Sequence, residues 1–223
     1  MSRAPAVVVF DVNETLSDMS PMAGRFEDVG APTHLAAAWF AGLLRDGFAL
    51  TVAGSSQPFA HIGAEALRVS LQGVPLTESL DDAVTHIMDG FQQLDVHPDV
   101  PAGVRALADL GIQLVTLSNG SASVAERLLE QAGVRDRFAH LLSVESAGTW
   151  KPARGAYAYA LERCKVDPMD ALLVAVHPWD TDGASRAGLG SAWINRGGGT
   201  YPGHFTPPDL EARSLVELAD QLR

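Results

Sequence analysis

The sequence predicts an α/β protein: a doubly wound parallel sheet with a helical cap domain inserted after the first strand. Three observations carry that prediction. Short, almost uninterrupted apolar runs recur along the chain, the pattern of strands buried on both faces. Helical patterns alternate with those runs from Pro101 onward, which argues for a parallel sheet with helices on both sides. The stretch from Ser17 to Val96 breaks the alternation and carries helical spacing almost throughout.

In chain order, "AVVVF" (Ala6–Phe10) is the first strand, and it ends on a carboxylate, Asp11. "THLAAAWFAGLLRDG", "PFAHIGAEALRVSLQG" and "TESLDDAVTHIMDGFQQL" are three amphipathic stretches of the insertion. Between the first two, "FALTVAGSS" suits a strand by composition and a helix by context. A helix opens at Pro101, and "IQLVTLSN" (Ile112–Asn119) is the second core strand. The next helix has Ser121 at an N-cap position and Gly133 just past its end. A third helix starts near Ala153, followed by the strands "DALLVAVH" (Asp170–His177) and "GSAWIN" (Gly190–Asn195). The expected boundaries are thus 1–16 and 97–223 for the core and 17–96 for the cap. In "INRGGGTYPG" no helix with Lys and Ser or Thr follows the glycines, so the segment reads as a mobile loop and not a phosphate loop.

Bulk properties narrow the partners. The 223 residues are 47% hydrophobic and 19% charged, ordinary globular values. A formal charge of −11 disfavours nucleic acid and anionic membrane surfaces. One cysteine, Cys164, excludes an internal disulfide and suits a reducing, cytoplasmic location. No apolar segment is expected to reach the length of a membrane span, about 20 residues.

Ligands of such sheets bind beyond the carboxyl ends of the strands. Asp11, Ser118 with Asn119, and His177 close three strands, while Lys151 in "TWKPARGAY" and Asp180 in "VHPWDTDGA" precede or open helices. A carboxylate, a hydroxyl, an ammonium and a second carboxylate therefore arrive at one edge, able to hold an anionic substrate against a nucleophilic Asp11. Asp182 reads as a solvated first-turn acid.

In their order, "DVNETL", "LSNGS", "HLLSV" followed by "KP", Tyr157 six residues after Lys151, "WDTDGA" and "WINR" resemble the haloacid dehalogenase superfamily over nearly the whole chain. The branch they most resemble is the L-2-haloacid dehalogenases (type II). That resemblance implies a Rossmann-like core and hydrolysis of small 2-haloalkanoic acids without metal or cofactor. Asp11 would attack C2, halide would leave, and water would hydrolyse the resulting aspartyl ester. Thr15, Ser118, Asn119 and Lys151 would position Asp11 or the substrate carboxylate, Asp180 would orient Lys151 and help activate the water, and Tyr157 would support that network. It further implies a small anionic substrate as partner and the possibility of a homodimer.

Phosphatases of the superfamily carry an acid two residues after the nucleophile and another five before the last motif Asp. Here those positions are Asn13 and Ala175. Asn cannot protonate a departing alkoxide, whereas a halide leaves unaided. The branch itself usually has an aromatic where Asn13 stands, Ser for Ala175, Asn for His177, and a cap Arg where this chain has Phe40; Arg45 is more than a helical turn away. Asn13, Phe40 and His177 are therefore expected to shape the substrate site, with His177 replacing the lost positive charge. Two alternatives remain beside the dehalogenase: a phosphatase or other hydrolase of small anions, and a catalytically weak binding homologue.

Overall fold

The computed structural model describes residues 4–223. The chain divides into two compact units, one formed by the residues up to Ser17 together with Asp95–Arg223, the other by Asp18–Leu94. After β1 (Val7–Phe10) the chain enters α1 (Met22–Asp28), α2 (Leu35–Val52), α3 (Phe59–Ser70) and α4 (Leu80–Gln92), which build the helical unit. It then returns through α5 (Val100–Asp109), β2 (Gln113–Ser118), α6 (Ala122–Gln131), β3 (Phe138–Ser143), α7 (Val144–Ala147) and α8 (Arg154–Cys164). The remainder is β4 (Ala171–Ala175), α9 (Pro178–Ala187), β5 (Gly190–Ile194), β6 (Leu210–Ala212) and α10 (Leu215–Gln221).

The strands form one sheet in the order β3-β2-β1-β4-β5-β6, with every neighbouring pair parallel. All four residues of β1 and all five of β4 are buried. Val8 and Phe10 join a core cluster with Val104 and Leu107 of α5, Leu128 and Leu129 of α6, and Leu215 and Leu218 of α10. Val7 and Val9, pointing to the opposite face, are equally buried. Burying each such side chain is worth roughly 1.5–3 kcal/mol, so the core fixes β1 in register and with it the position of Asp11. The strand order reverses direction at β1, between β2 and β4, the place at whose strand ends sheets of this kind bind ligands.

Two strands have no counterpart among the sequence expectations. β3 is an edge strand whose middle residues are partly exposed, so its apolar run is diluted. β6 is only three residues long. The ambiguous "FALTVAGSS" continues α2 to Val52, because Trp39, Phe40, Leu43, Leu44 and Gly47 bury one helical face. Contrary to expectation, α2 is long and apolar enough for a membrane span by length and composition, with 18 residues and a hydropathy of 1.3. Arg45 and Asp46 lie at its middle, and buried Trp39, Phe40, Leu43 and Leu44 form the face of a helix packed on α1 and α3.

Candidate active site

The turn after β1 is over-determined. Val12 O accepts from the Leu16 and Ser17 amides at 2.9 and 3.0 Å, and Asn13 O accepts from His177 Nε2 at 3.2 Å. Glu14 O accepts from His97 Nε2, Thr15 O from Arg196, and Leu16 O from the His97 amide, each at 2.9 Å. Arg196 is itself held by Asp99 at 2.6 Å. This lattice supports Glu14 at φ +63°, a left-handed conformation that side chains disfavour. Within the turn, Thr15 Oγ1 donates to Asp11 Oδ2 at 2.6 Å and accepts from the Val176 amide at 3.1 Å, fastening the Asp11 carboxylate to the end of β4.

Lys151 is completely buried and its Nζ donates to Asp11 Oδ1 at 2.9 Å and to Asp180 Oδ2 at 2.6 Å. Tyr157 donates to Asp180 Oδ1 at 2.6 Å, so both oxygens of that carboxylate are engaged. Asn119 grips the Lys151 backbone from both sides: its Oδ1 accepts from the Lys151 amide and its Nδ2 donates to the Lys151 carbonyl. Burial pushes the Asp11 carboxyl up, but the Lys151 ammonium, the His177 ring and the Thr15 hydroxyl outweigh it and hold the group below its usual range. Burial works against the Lys151 ammonium, and the two carboxylates more than offset it. Asp180 is raised by burial and by the charge of Asp11, against the pull of Lys151. Burial together with Asp180 lifts the Tyr157 phenol far up, so it stays a hydrogen-bond donor.

Ser118 Oγ accepts from the Gly120 amide at 2.9 Å and leaves its proton uncommitted. A Cβ on Gly120 would stand 3.3 Å from Ser118 Oγ and 3.6 Å from Asn13 Nδ2, so the Asn13 amide lies against this turn. The Asn13 side chain bonds to none of the described residues and is buried. His177 stacks on Trp179 and points Nε2 at Asp11 Oδ2 and Glu14 Oε2, 3.7 and 3.6 Å away. The arrangement can do one thing well: present an ionised, anchored carboxylate beside free donors.

Magnesium asks for several oxygen ligands in an octahedron. Between Asp11 and Asp180 that place is filled by the Lys151 ammonium, and Ala175 has no oxygen to offer, so the residues do not suit such an ion. Among the described residues no group of three or more His, Cys, Asp or Glu is disposed to hold a metal.

The family model of haloacid dehalogenase-like hydrolases matches residues 5–188. The chain belongs to that family. It is 30% identical over 215 residues to the (S)-2-haloacid dehalogenase of Pseudomonas sp. (strain YL), covering 96% of this chain and 92% of that protein. It is 28% identical to haloacetate dehalogenase H-2 of Moraxella sp. (strain B), covering 91% of each. A dehalogenase solved with an intermediate complex superposes with a TM-score of 0.91 at 26% identity, over 99% of this chain and 98% of that one.

For this haloacid dehalogenase-like hydrolase the structure brings Asp11, Asn13, Thr15, Ser118, Asn119, Lys151, Tyr157, His177 and Asp180 together in the core unit. Phe40 is 5% exposed within the helical unit, its ring 6.4 Å from those of Trp39 and Phe59. Ser121 stands at the N-cap of α6 without a capping bond and pairs with Ser123 instead. Asp182 is not a solvated acid: Arg186 and the Thr206 amide bind it, the guanidinium foremost in lowering its pKa to about 2. The expected mobile loop is tied down, because Tyr201 bonds Thr181, Pro178 O and Thr206 O while Asn195 bonds Gly199. Glu14, His97 and Arg196 are site residues that sequence reasoning passed over. Glu14 stood within "DVNETL" and Arg196 within "WINR".

Proposed function

We propose that this protein is a hydrolytic dehalogenase of small 2-haloalkanoic acids that works through an ester on Asp11 and without a metal ion. The observation that carries the reading is Lys151 Nζ held between Asp11 Oδ1 and Asp180 Oδ2. One ammonium keeps the nucleophile charged and fixed, which is the activation an aspartate nucleophile needs. Asp11 attacks C2 of the substrate and displaces halide. The Asn13 amide and Ser118 hydroxyl bind the substrate carboxylate. Departure of halide needs no proton, which matches the amide at position 13. Water then attacks the ester carbonyl and returns Asp11 with a 2-hydroxy acid.

Similarity to the (S)-2-haloacid dehalogenase and haloacetate dehalogenase relatives supports the substrate class, and the intermediate complex of the dehalogenase superposed above supports a stepwise course. The helical unit Asp18–Leu94 serves as the cap in this reading, since the chain leaves for it directly after the Asp11 turn. A reducing cytoplasm suits the lone Cys164. Incubation with 2-chloropropionate and a chelator should release chloride, and a phosphomonoester with magnesium should release no phosphate. Phosphate without chloride would replace the reading with a phosphatase, and neither would leave a binding homologue.

A further inference from the structure

Resting on the dehalogenase reading, we propose that Arg196, gripped by Asp99, is a positioning residue for the reaction: it holds the Thr15 main chain so that the Thr15 hydroxyl can aim the Asp11 carboxylate.

The contacts form a single relay. Arg196 Nη1 donates to Asp99 Oδ1 at 2.6 Å, Arg196 Nη2 donates to Thr15 O at 2.9 Å, and Thr15 Oγ1 donates to Asp11 Oδ2 at 2.6 Å. The side chains of the ion pair are only 19% and 17% exposed, so salt screens it little. Asp99 Oδ2 accepts from the Leu215 amide at 2.8 Å, which ties the pair to the start of α10. Beside Arg196, Asn195 accepts from the Gly199 amide and donates to Gly199 O and to Glu211. The guanidinium is thus mounted rigidly from both ends.

Two local preferences are set aside to build this strut. Asp99 occupies the N-cap of α5, where a carboxylate ordinarily takes the first helix amides, yet it makes no capping bond. Arg196 Nε is buried and bonds to none of the described residues, a cost that an unconstrained side chain would avoid. Such departures collect where residues are placed for a task. The strut ends on Thr15, so Thr15 is the task.

The consequence for Asp11 is geometric. Lys151 Nζ holds Oδ1 at 2.9 Å while Thr15 holds Oδ2, so two donors fix the rotation of the carboxylate about its Cβ–Cγ bond. His177 Nε2, 3.7 Å from Oδ2, stands too far off to replace the hydroxyl. With Thr15 slack, the carboxylate swings about its Lys151 contact, and a misplacement of about 1 Å can cost about 10²-fold in rate. An electrostatic effect has the same origin. Burial pushes the Asp11 carboxyl up, and Lys151, His177 and the Thr15 hydroxyl bring it below its usual range, so a slack Thr15 lets it rise.

The test is a double-mutant cycle on turnover of 2-chloropropionate. Arg196→Met should lower kcat about 10- to 100-fold, leave KM nearly unchanged, and move the acid limb of the pH profile upward. Arg196→Lys keeps a cation for Asp99 without the two-pronged fork; it should show a smaller loss of the same kind, and it carries the cycle if the Met variant does not fold. Thr15→Val keeps the carbonyl and removes the hydroxyl. Adding the Arg196 substitution to Thr15→Val should cost nothing further in kcat, because the relay is already cut. An equal loss in both backgrounds would mean that Arg196 acts by its charge or through stability alone, and overturns the inference; so does wild-type kcat in Arg196→Met. If wild type releases no chloride, the dehalogenase reading falls by itself. The positioning role is then decided by NMR titration of the Asp11 carboxyl carbon, assigned by its loss in Asp11→Asn. A higher midpoint in the Arg196 variant than in wild type keeps the role, and an unmoved midpoint removes it.

Discussion

Lys151 is the one charge that makes two buried carboxylates tolerable at the end of the sheet. Its side chain and that of Asp180 are 0% exposed, and that of Asp11 is 5% exposed. Removing one partner of such a set leaves an uncompensated charge in a poorly solvated place, which costs about 3–5 kcal/mol. Lys151→Met should therefore lower unfolding free energy by about that amount in a denaturant titration and abolish halide release. Adding Asp180→Asn to that variant should recover part of the stability and none of the activity, because it removes surplus charge without restoring the counter-ion. Equal stability of the single and double variants would refute the electrostatic account. Asp11, Lys151 and Asp180 were legible in sequence because each stands at a strand end or helix start within a recognisable string. Glu14 and Arg196 also stand in such strings, but nothing there announced their part in the Asp11 turn, and His97 had no string at all. The left-handed turn at Glu14 has no glycine to announce it, and the carbonyls that His97 and Arg196 hold lie 83 and 181 positions away in the chain.

Between elements, the packing of α8 on α9 decides where Tyr157 and Asp180 meet. Gly183 of α9 faces α8, and a Cβ there would stand 2.5 Å from Tyr157 Oη and 2.6 Å from Pro152 Cβ. Gly183→Ala should thus push the phenol off Asp180, losing about 1–3 kcal/mol of stability by overpacking and lowering turnover per folded molecule. Gly63→Ala is the control, since its Cβ would meet Leu43 and Met88 inside the helical unit and no residue of the Asp180 network. It should cost comparable stability and leave turnover per folded molecule at the wild-type level. If both variants keep full turnover, Tyr157 is ornamental to Asp180. The same scale explains what could be read of the fold. β1 and β4 are continuous apolar runs, and β2 and β5 are largely apolar, because all but the first residue of the latter two and every residue of the former two are buried. β3 and β6 escaped because an edge position leaves one partly exposed and the other needs only three residues. At the end of α2, Val52 is apolar yet exposed, which blurs the helical period enough to look like a strand.

For the molecule as a whole, a formal charge of −11 opposes the anionic substrate that the site is proposed to take. Inside the site the balance is no kinder, with one ammonium against the carboxylates of Asp11 and Asp180. Chemistry after binding occurs among buried groups that salt barely reaches, whereas approach occurs through solvent where screening is strong. The Debye length falls from about 30 Å at 0.01 M to about 8 Å at 0.15 M ionic strength. Raising ionic strength over that range with sodium sulfate, a salt free of halide, should therefore raise kcat/KM for 2-chloropropionate severalfold and leave kcat where it was. The neutral amide of the same acid feels no such repulsion and should show a flat profile, which separates screening of charge from any general effect of the salt on the protein. A flat profile for the acid as well would mean that local donors such as the Asn13 amide and Ser118 hydroxyl already outweigh the field of the whole chain, and that net charge has no part in substrate selection.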